Sequence, residues 1–156
     1  MINLPIDNAF NLEVKARQAI IINALEDTQS LKALKNDKYL VIGSATNMIM
    51  NELFEGTIIK VSMDDIKQVS DGTLSVGAGL PWDKLIAYCL DNNFFGIENL
   101  TLIPGLVGAA PVQNIGAYGV EIKEVFIECS TIHLRSLKNK VFSAKDCQFG
   151  LSLIHI

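Results

Sequence analysis

Short apolar runs in the first third of the chain predict strands. The runs are residues 19–24 (AIIINA), 39–42 (YLVI) and 57–61 (TIIKV), and each is rich in β-branched or aromatic residues that suit a buried strand. Between the first two runs, Leu31 and Leu34 place apolar side chains on one face of a helix over residues 26–35. A Glu-Gly turn at residues 55–56 precedes the third run. The pattern predicts a β-α-β-β unit over about the first 62 residues.

A hairpin signal marks the start of a second unit near Met63. The apolar stretches 66–69 and 74–76 flank Ser-Asp-Gly-Thr, in which Asp71-Gly72 favours a type I′ turn because both central residues need a positive φ. We therefore expect one lobe over residues 1–62 and a second over residues 63–156.

The second lobe should also contain one amphipathic helix and a further hairpin. Apolar residues recur at helical spacing after Pro81, a residue tolerated in a first helical turn, and two asparagines at 92–93 serve as a stop. The predicted buried face consists of Trp82, Leu85, Ile86 and Cys89. Residues 125–134 alternate in polarity and a polar turn at 138–139 leads to residues 141–142, which predicts two paired strands. Strands in hairpins and separate helices indicate the α+β class.

Composition excludes several classes of protein. With 156 residues and 49% hydrophobic content the chain can build a core, and 13 basic against 17 acidic residues give a net charge of −4. Without a cluster of cations, nucleic-acid binding is not expected. Residues 99–120 are uncharged and long enough to span a bilayer, but their prolines, glycines and amides argue against a membrane helix. We expect a soluble cytoplasmic protein.

Cysteine and histidine usage predicts neither a disulfide framework nor a metal site. Cys89, Cys129 and Cys147 are an odd number without a CxxC pair, so buried reduced thiols are the expectation. His133 and His155 lie far apart without a neighbouring Asp or Cys at ligand spacing. We expect no metal.

A glycine-rich stretch is the first candidate for function. Five of the 11 glycines lie in residues 96–119, where Gln113, Asn114 and exposed N–H groups offer uncharged donors to a flat heterocycle or a phosphate. A packing turn between strands would explain the same glycines and stays open as an alternative. Glu98 and Glu121 flank the stretch, either as bordering glutamates or as an acid/base pair.

A second candidate is the turn of residues 43–47 (GSATN) directly after a predicted strand. Its successive amides and two hydroxyls suit a pyrophosphate bound in an anion nest. The stretch Gly77-Ala78-Gly79 resembles the start of a dinucleotide fingerprint, but Trp82 occupies the position of its third glycine, which argues against a Rossmann site.

Five segments, in order, resemble the UDP-N-acetylenolpyruvoylglucosamine reductase family of flavoenzymes (MurB, UDP-N-acetylmuramate dehydrogenase). Residues 96–122, GIENLTLIPGLVGAAPVQNIGAYGVEI, match the signature of this family almost throughout. The other segments are NAF at 8–10, VIGSATN at 41–47, VGAGLPW at 76–82 and CQFG at 147–150. Together these segments span residues 8–150, which is nearly the whole chain.

The resemblance implies the two-lobed FAD-binding fold of the vanillyl-alcohol-oxidase type, with FAD between the lobes. It implies that a loop wraps the FAD pyrophosphate, and that this loop consists of Gly43, Ser44, Ala45, Thr46 and Asn47. It implies that residues 109–119 line the cofactor towards the isoalloxazine, with Gln113 and Tyr118 as polar contacts. The cofactor contacts implied there are Ala109, Ala110, Gln113, Asn114, Gly116, Tyr118 and Gly119.

The resemblance also implies a reaction in peptidoglycan precursor synthesis. In this family NADPH reduces the flavin, which delivers hydride to the enolpyruvyl group of UDP-N-acetylenolpyruvoylglucosamine, and an acid then protonates the product to give UDP-N-acetylmuramate. FAD as cofactor, NADPH as hydride donor and a UDP-sugar as substrate are therefore expected. We further expect a monomer that binds neither nucleic acid nor membranes.

Departures from the family bear on activity. The family continues FG with Tyr-Arg-Asp-Ser, whereas Ser152 occupies the arginine position here and cannot supply a cationic fork to a substrate carboxylate. Similarity stops at Leu151, which we interpret as a truncated or frame-shifted sequence or as a tail derived from cloning, and we expect the family's substrate domain with its proton donor and glutamate to be missing. We expect no catalytic residue in this chain, little or no reductase activity, and weak FAD binding.

Three substitutions affect the implied cofactor contacts. Ala45 stands where the family usually has glycine, and an alanine with positive φ would cost about 1 kcal/mol. Ala109 and Ala110 replace serines seen in some members, which removes possible hydroxyl contacts to the cofactor.

Two other functions stay open at this point. One is a non-enzymatic module that binds a nucleotide or another flat phosphorylated ligand on the same fold, and the other is a different oxidase of that fold. Flavin absorbance that follows the protein through purification would separate a flavoprotein from other nucleotide-binding modules.

Overall fold

The computed structural model describes residues 4–34 and 37–150. Within this part the chain forms ten strands, one α-helix and four 3-10 helices. Ser152, His155 and the rest of the tail at 151–156 lie outside the described residues, as does the expected helix end at Lys35.

A four-stranded mixed sheet forms the first structural unit. Its strands are β1 (Leu4–Ile6), β2 (Val14–Ile22), β3 (Tyr39–Ile42) and β4 (Leu53–Val61), in the order β1-β2-β4-β3. β4 runs parallel to both β2 and β3, and β1 is antiparallel to β2. The prediction for residues 39–42 is confirmed. β2 begins five residues before the predicted strand because Val14 and Ala16 are buried between exposed Lys15 and Arg17.

The two faces of this sheet pack against different segments. On one face, Ile22 and Ile59 pack with Leu31 and Leu34 of a 3-10 helix (Leu25–Leu34). On the other face, Ile42 and Ile58 pack with buried residues of β1 and β2 and with Met48 and Met50. The apolar pair of the predicted helix is thus confirmed, but the helix is 3-10.

Local hydrogen bonding accounts for the tighter helix. The hydroxyls of Thr28 and Ser30 donate to the carbonyls of Leu25 and Asp27, three residues earlier in each case. Such side-chain bonds compete with a regular α-helical ladder.

The predicted turn at residues 55–56 is wrong, because Gly56 lies inside β4. A Cβ at Gly56 would stand 2.4 Å from the carbonyl oxygen of Lys38, so the neighbouring backbone approaches too closely for any other residue. Glycine at this position permits the close approach of two backbone segments and does not mark a turn.

The second unit begins with the predicted hairpin and helix. β5 (Ile66–Ser70) pairs with β6 (Thr73–Val76), and α1 (Trp82–Asp91) follows, as predicted. The type I′ turn is wrong: of its two central residues only Gly72 has a positive φ, 70°. The register shifts between Gln68 and Ser70, so a bulge supplies the twist that the type I′ turn would otherwise provide.

The predicted apolar face of α1 is the centre of the second core. Trp82, Leu85, Ile86 and Cys89 are all buried, and they pack with Leu100, Ala110, Ile115 and Ile122. The Trp82 indole Nε1 donates to the carbonyl oxygen of Leu100 at 2.9 Å, which satisfies the one polar atom of this buried ring.

The remaining elements are short. They are 3-10 helices at Glu98–Leu100, Val107–Ala109 and Ile122–Glu124, the small hairpin of β7 (Gly116–Ala117) and β8 (Val120–Glu121), and the hairpin of β9 (Glu128–Ile132) and β10 (Asn139–Ser143). β9 is half the predicted length, although backbone hydrogen bonds continue beyond both of its ends, from the Ala144 N–H to the Ile127 carbonyl and from the His133 N–H to the Lys138 carbonyl. Across residues 4–34 and 37–150, no helix is both long and apolar enough to cross a membrane.

The two units meet at the end of β4. A Cβ at Gly77 or Gly79 would lie 2.4 Å from the Met63 carbonyl oxygen or 2.6 Å from the Ser62 Cα. Ile132 and Leu134 pack against the cluster on the first sheet. The α+β class is confirmed, whereas the lobe boundary between residues 62 and 63 stays a prediction.

Candidate functional site

The turn at residues 43–47 leaves β3 at the sheet edge and is held in an unusual conformation. Ala45 has a φ of 51° and is 3% exposed, so an alanine occupies the left-handed region that glycine favours. Its carbonyl oxygen accepts a hydrogen bond from the Ala9 backbone N–H at 3.4 Å, which ties the turn to the segment at residues 8–10. The backbone of Ala45 is therefore strained, as expected for an alanine in a conformation that glycine favours.

Hydrogen-bond donors in this turn are left without protein partners. The Ser44 Oγ is buried and has no hydrogen-bond partner in the part of the chain that the structure describes. No described residue accepts a hydrogen bond from the backbone N–H groups of residues 44–47. A buried hydroxyl without a partner is destabilising, and a left-handed residue in a turn aims successive amides at one point. This set of neutral donors fits a phosphate or pyrophosphate.

Two loops of the second unit stand beside this turn. A Cβ built on Gly43 would contact Ala109 Cβ at 3.7 Å and Leu106 Cδ1 at 3.8 Å. Gly108 in turn packs on Ala78, because a Cβ at Gly108 would stand 2.6 Å from the Ala78 Cβ. The turn at 43–47 and the segments containing Ala78 and Ala109 thus converge where the two units meet.

The expectation of free N–H donors in the glycine-rich stretch is wrong for its central part. The backbone N–H groups of residues 107–110 donate to the carbonyls of Leu80, Ala78, Leu106 and Val107, and those of residues 113–115 donate to Ala109, Pro111 and Ala110. The close approach of Gly108 to Ala78 fits the alternative of a packing turn, whereas ligand binding by this stretch stays a prediction. The polar side chains, rather than the backbone, are left to contact a ligand there.

Asn114 connects three segments beneath this stretch. Its Nδ2 donates to the Glu121 Oε2 at 2.9 Å and to the Gly150 carbonyl oxygen at 2.6 Å. Asn114 is only 8% exposed, and its Oδ1 is buried without a hydrogen-bond partner among the described residues. With a φ of 43°, Asn114 adopts a left-handed conformation that asparagine tolerates better than most residues.

The other residues expected to contact a cofactor are spread over this surface. Gln113, Gly116, Tyr118 and Gly119 are exposed, and Tyr118 is 89% exposed with a φ of 52°. A surface cavity of about 270 Å³ lies beside them, lined by Asn114, Gly116, Ala117, Gly119, Val120 and Glu121. Ala110 is buried in the second core, so its methyl group faces the protein interior. These cofactor contacts stay predictions.

Glu98 and Glu121, which flank the glycine-rich stretch, both have a lowered pKa and are therefore poorly suited to act as a general acid. The backbone N–H groups of Glu98 and Gly96 lower the pKa of the Glu98 carboxyl, and Gly96 N–H donates to it at 2.6 Å. The Lys123 ammonium, 2.9 Å away, and the Asn114 amide lower the pKa of Glu121. Both carboxylates are ionised at neutral pH, which favours their interpretation as structural residues bordering the loop.

Histidine and cysteine contribute no metal cluster within the described residues. The exposed His133 is engaged locally, since its Nδ1 lies 2.9 Å from the Ser136 Oγ. Cys89 is buried as expected, whereas Cys129 and Cys147 are half-buried.

Two residues that support the site could not be predicted from the residue pattern alone. Ala9 holds the turn through Ala45, and Ala78 supports Gly108, yet both are small apolar residues with no chemistry of their own. The only signal for them was the resemblance of residues 8–10 and 76–82 to a flavoenzyme family.

A family model described as "FAD binding domain" matches residues 23–132, about two thirds of the chain and most of both units. The chain belongs to the FAD-binding domain family. The expectations of this fold and of FAD as its cofactor are thereby confirmed at the level of the family. The neutral donors at residues 43–47 agree with a family that binds a dinucleotide.

Curated relatives carry the name UDP-N-acetylenolpyruvoylglucosamine reductase. The protein of Flavobacterium johnsoniae is 38% identical over an alignment of 148 residues, which covers 92% of this chain and 44% of the relative. The protein of Vibrio parahaemolyticus is 38% identical over 150 residues, with 92% and 43% covered. The chain thus spans less than half the length of these relatives.

A solved structure has the same fold. The crystal structure of UDP-N-acetylenolpyruvylglucosamine reductase (MurB) from Thermus caldophilus superposes with a TM-score of 0.67 at 21% identity. The superposition covers 88% of this chain and 48% of that protein. At this identity the likeness supports the fold.

Proposed function

We propose that this FAD-binding domain holds the FAD pyrophosphate on residues 43–47, between the two units. The observation that carries the proposal is the buried Ser44 hydroxyl, which has no partner among residues 4–34 and 37–150, where the N–H groups of residues 44–47 also find no acceptor. A pyrophosphate oxygen would accept hydrogen bonds from these donors. Contact with Gly43 would then bring the cofactor alongside Ala109 and towards the exposed Gln113 and Tyr118.

We further propose that the domain is the FAD-binding part of a UDP-N-acetylenolpyruvoylglucosamine reductase. Support comes from curated relatives of that name at 38% identity across 92% of this chain. Bound FAD supplies the transfer of hydride from NADPH to the enolpyruvyl group of the UDP-sugar substrate. With this function we retain the expectations of a cytoplasmic monomer that binds no nucleic acid.

The residues of this chain contribute binding and positioning to that reaction. Ser44 and the following amides hold the negative charge of the pyrophosphate, while Asn114 fixes the loop bearing Gln113 against Gly150. We assign no proton donor among the described residues, because Glu98 and Glu121 are held in the ionised form. The chain is therefore expected to bind FAD but to show little or no turnover.

Titration of the chain with FAD, followed by quenching of flavin fluorescence, tests the proposal. An aspartate at residue 43 would place a carboxylate beside the pyrophosphate, and two like charges at such a distance repel by several kcal/mol in a partly buried site. The Gly43→Asp variant should bind FAD at least about 100-fold more weakly than the wild type. Gly43→Asn is the matched control, because it adds a side chain of the same size without the charge.

The backbone at Gly43 accommodates a side chain's first atom, since an added Cβ makes ordinary contacts at 3.7 Å or more. A folded Gly43→Asp variant that binds FAD as tightly as Gly43→Asn would contradict the assignment of the pyrophosphate to this turn. Saturable binding of other nucleotides with no preference for FAD would favour the non-enzymatic module instead.

A further inference from the structure

Two of the three cysteines lie on adjoining parts of one hairpin. Cys129 is in β9, opposite Phe142 in β10. After β10 the chain makes a tight turn in which the Cys147 N–H donates to the Ser143 carbonyl at 3.1 Å. The Ala144 N–H donates back to the Ile127 carbonyl at 3.0 Å, which fastens this turn to the beginning of β9.

Two contacts on either side of Cys147 place it beside Cys129. Before it, Ser143 pairs with Glu128, the neighbour of Cys129. After it, the ring of Phe149 packs edge-on against Phe126, with 5.2 Å between centroids. These contacts hold the turn that carries Cys147 against residues 126–128, at the end of β9 where Cys129 lies.

The two cysteines are near neighbours on this hairpin, and both are partly accessible to reagents. Burial raises the pKa of the Cys129 thiol, and the Cys147 thiol raises it further by its charge and by a hydrogen bond. Both cysteines are half-buried, so a small reagent reaches them, whereas Cys89 is buried in the second core.

We infer that Cys129 and Cys147 are a redox modification site that forms a reversible intramolecular disulfide with a small-molecule disulfide as oxidant. The thiolate of one cysteine attacks the oxidant, breaks its S–S bond and releases one small thiol. The second protein thiolate attacks this mixed disulfide, forms the Cys129–Cys147 bond and releases the second small thiol. The protein loses two electrons and two protons, and the oxidant is reduced to two thiols.

The disulfide would fasten the turn at residues 143–147 to β9. This turn leads directly to Gly150, whose carbonyl oxygen accepts the hydrogen bond from Asn114. Oxidation therefore anchors the segment that Asn114 joins to the loop of Gln113. Because a cross-link restricts the unfolded chain, the oxidised protein should have a higher Tm than the reduced protein.

The test is incubation of the folded chain with oxidised glutathione, followed by counting of free thiols and mapping of peptides without reduction. Wild-type protein should fall from three free thiols to one and yield a peptide pair linked through Cys129 and Cys147. The Cys129→Ser and Cys147→Ser variants should form no internal disulfide and should carry glutathione on the remaining exposed cysteine. Dithiothreitol should restore three thiols and the lower Tm.

Three outcomes would overturn the inference. They are a wild-type chain that keeps all three thiols, a chain that carries only glutathione adducts, and a link that involves Cys89 or a second molecule. Wild-type peptide mapping decides among them even if a serine variant fails to fold.

Discussion

Replacement of Ser44 by alanine should stabilise the free chain and weaken its binding of FAD. The Ser44 Oγ is buried without a hydrogen-bond partner, and an unsatisfied buried hydroxyl costs about 1–3 kcal/mol. Alanine removes that cost and leaves the Cβ packing in place. The free energy of unfolding should therefore rise by about 1 kcal/mol or more, which corresponds to an increase in Tm of about 2–4 °C for a chain of this size.

The same substitution has the opposite effect on the complex. A hydrogen bond from the Ser44 hydroxyl to a charged phosphate oxygen is worth about 1.5–3 kcal/mol, so its loss should raise the Kd for FAD by about 10- to 150-fold. Urea unfolding of the free chain and titration with FAD measure the two effects separately.

Thr57→Val is the control for the loss of a buried hydroxyl. Thr57 is 3% exposed, and its Oγ1 donates to the Gln18 Oε1 at 3.3 Å. Because this hydroxyl is satisfied, its removal should lower the free energy of unfolding by about 0.5–1.5 kcal/mol and leave FAD affinity unchanged. A Ser44→Ala chain that is less stable than wild type and binds FAD equally well would refute the assignment of the Ser44 hydroxyl to a ligand.

Three further substitutions test the packing and the electrostatics around the site. Gly79→Ala would place a Cβ 2.6 Å from the Ser62 main chain, so urea unfolding should show a loss of about 1–3 kcal/mol, whereas Gly150→Ala enters open space and should be neutral. Trp82→Phe leaves the buried Leu100 carbonyl without its donor and should lower the free energy of unfolding by about 1–3 kcal/mol. The pKa of Glu121 is lowered from 4.5 in the folded chain, so its contribution to stability is present above that pH and is lost on acidification through the lowered value. Glu121→Gln should therefore show a weaker loss of stability with falling pH, measured by urea unfolding across the acidic range.

Elements with strong periodicity could be predicted from the sequence. The four apolar residues of α1 were sufficient because they are the buried positions of that helix, and the apolar run 39–42 was sufficient for β3 although only Ile42 of that strand is buried. The start of β2 could also have been found, since Val14 and Ala16 alternate with charged residues.

Features that depend on contacts between residues distant in sequence could not be predicted from the local sequence pattern. Gly56 is typical of a turn until the Lys38 carbonyl is placed against it, and Asp71-Gly72 is typical of a type I′ turn until the bulge in β5 is known. The donors of residues 107–115 are satisfied by carbonyls that only the folded chain brings near. Local propensity decides such positions only where tertiary packing does not override it.

The candidate site divides in the same way. The turn at 43–47 could be singled out as a candidate anion site because consecutive small and hydroxyl residues follow a strand, and Ala45 has a positive φ there; anion binding itself stays a prediction. The support from Ala9 and Ala78 could not be predicted, because these residues act through backbone atoms and small volume alone.

A crystal structure of the chain with FAD tests the central claim most directly. The account predicts that the pyrophosphate lies within hydrogen-bonding distance of the Ser44 Oγ and the backbone N–H groups of residues 44–47, with Ala109 beside it. A complex in which the pyrophosphate lies elsewhere, for example at residues 77–79, and the Ser44 hydroxyl stays unpaired would contradict the account.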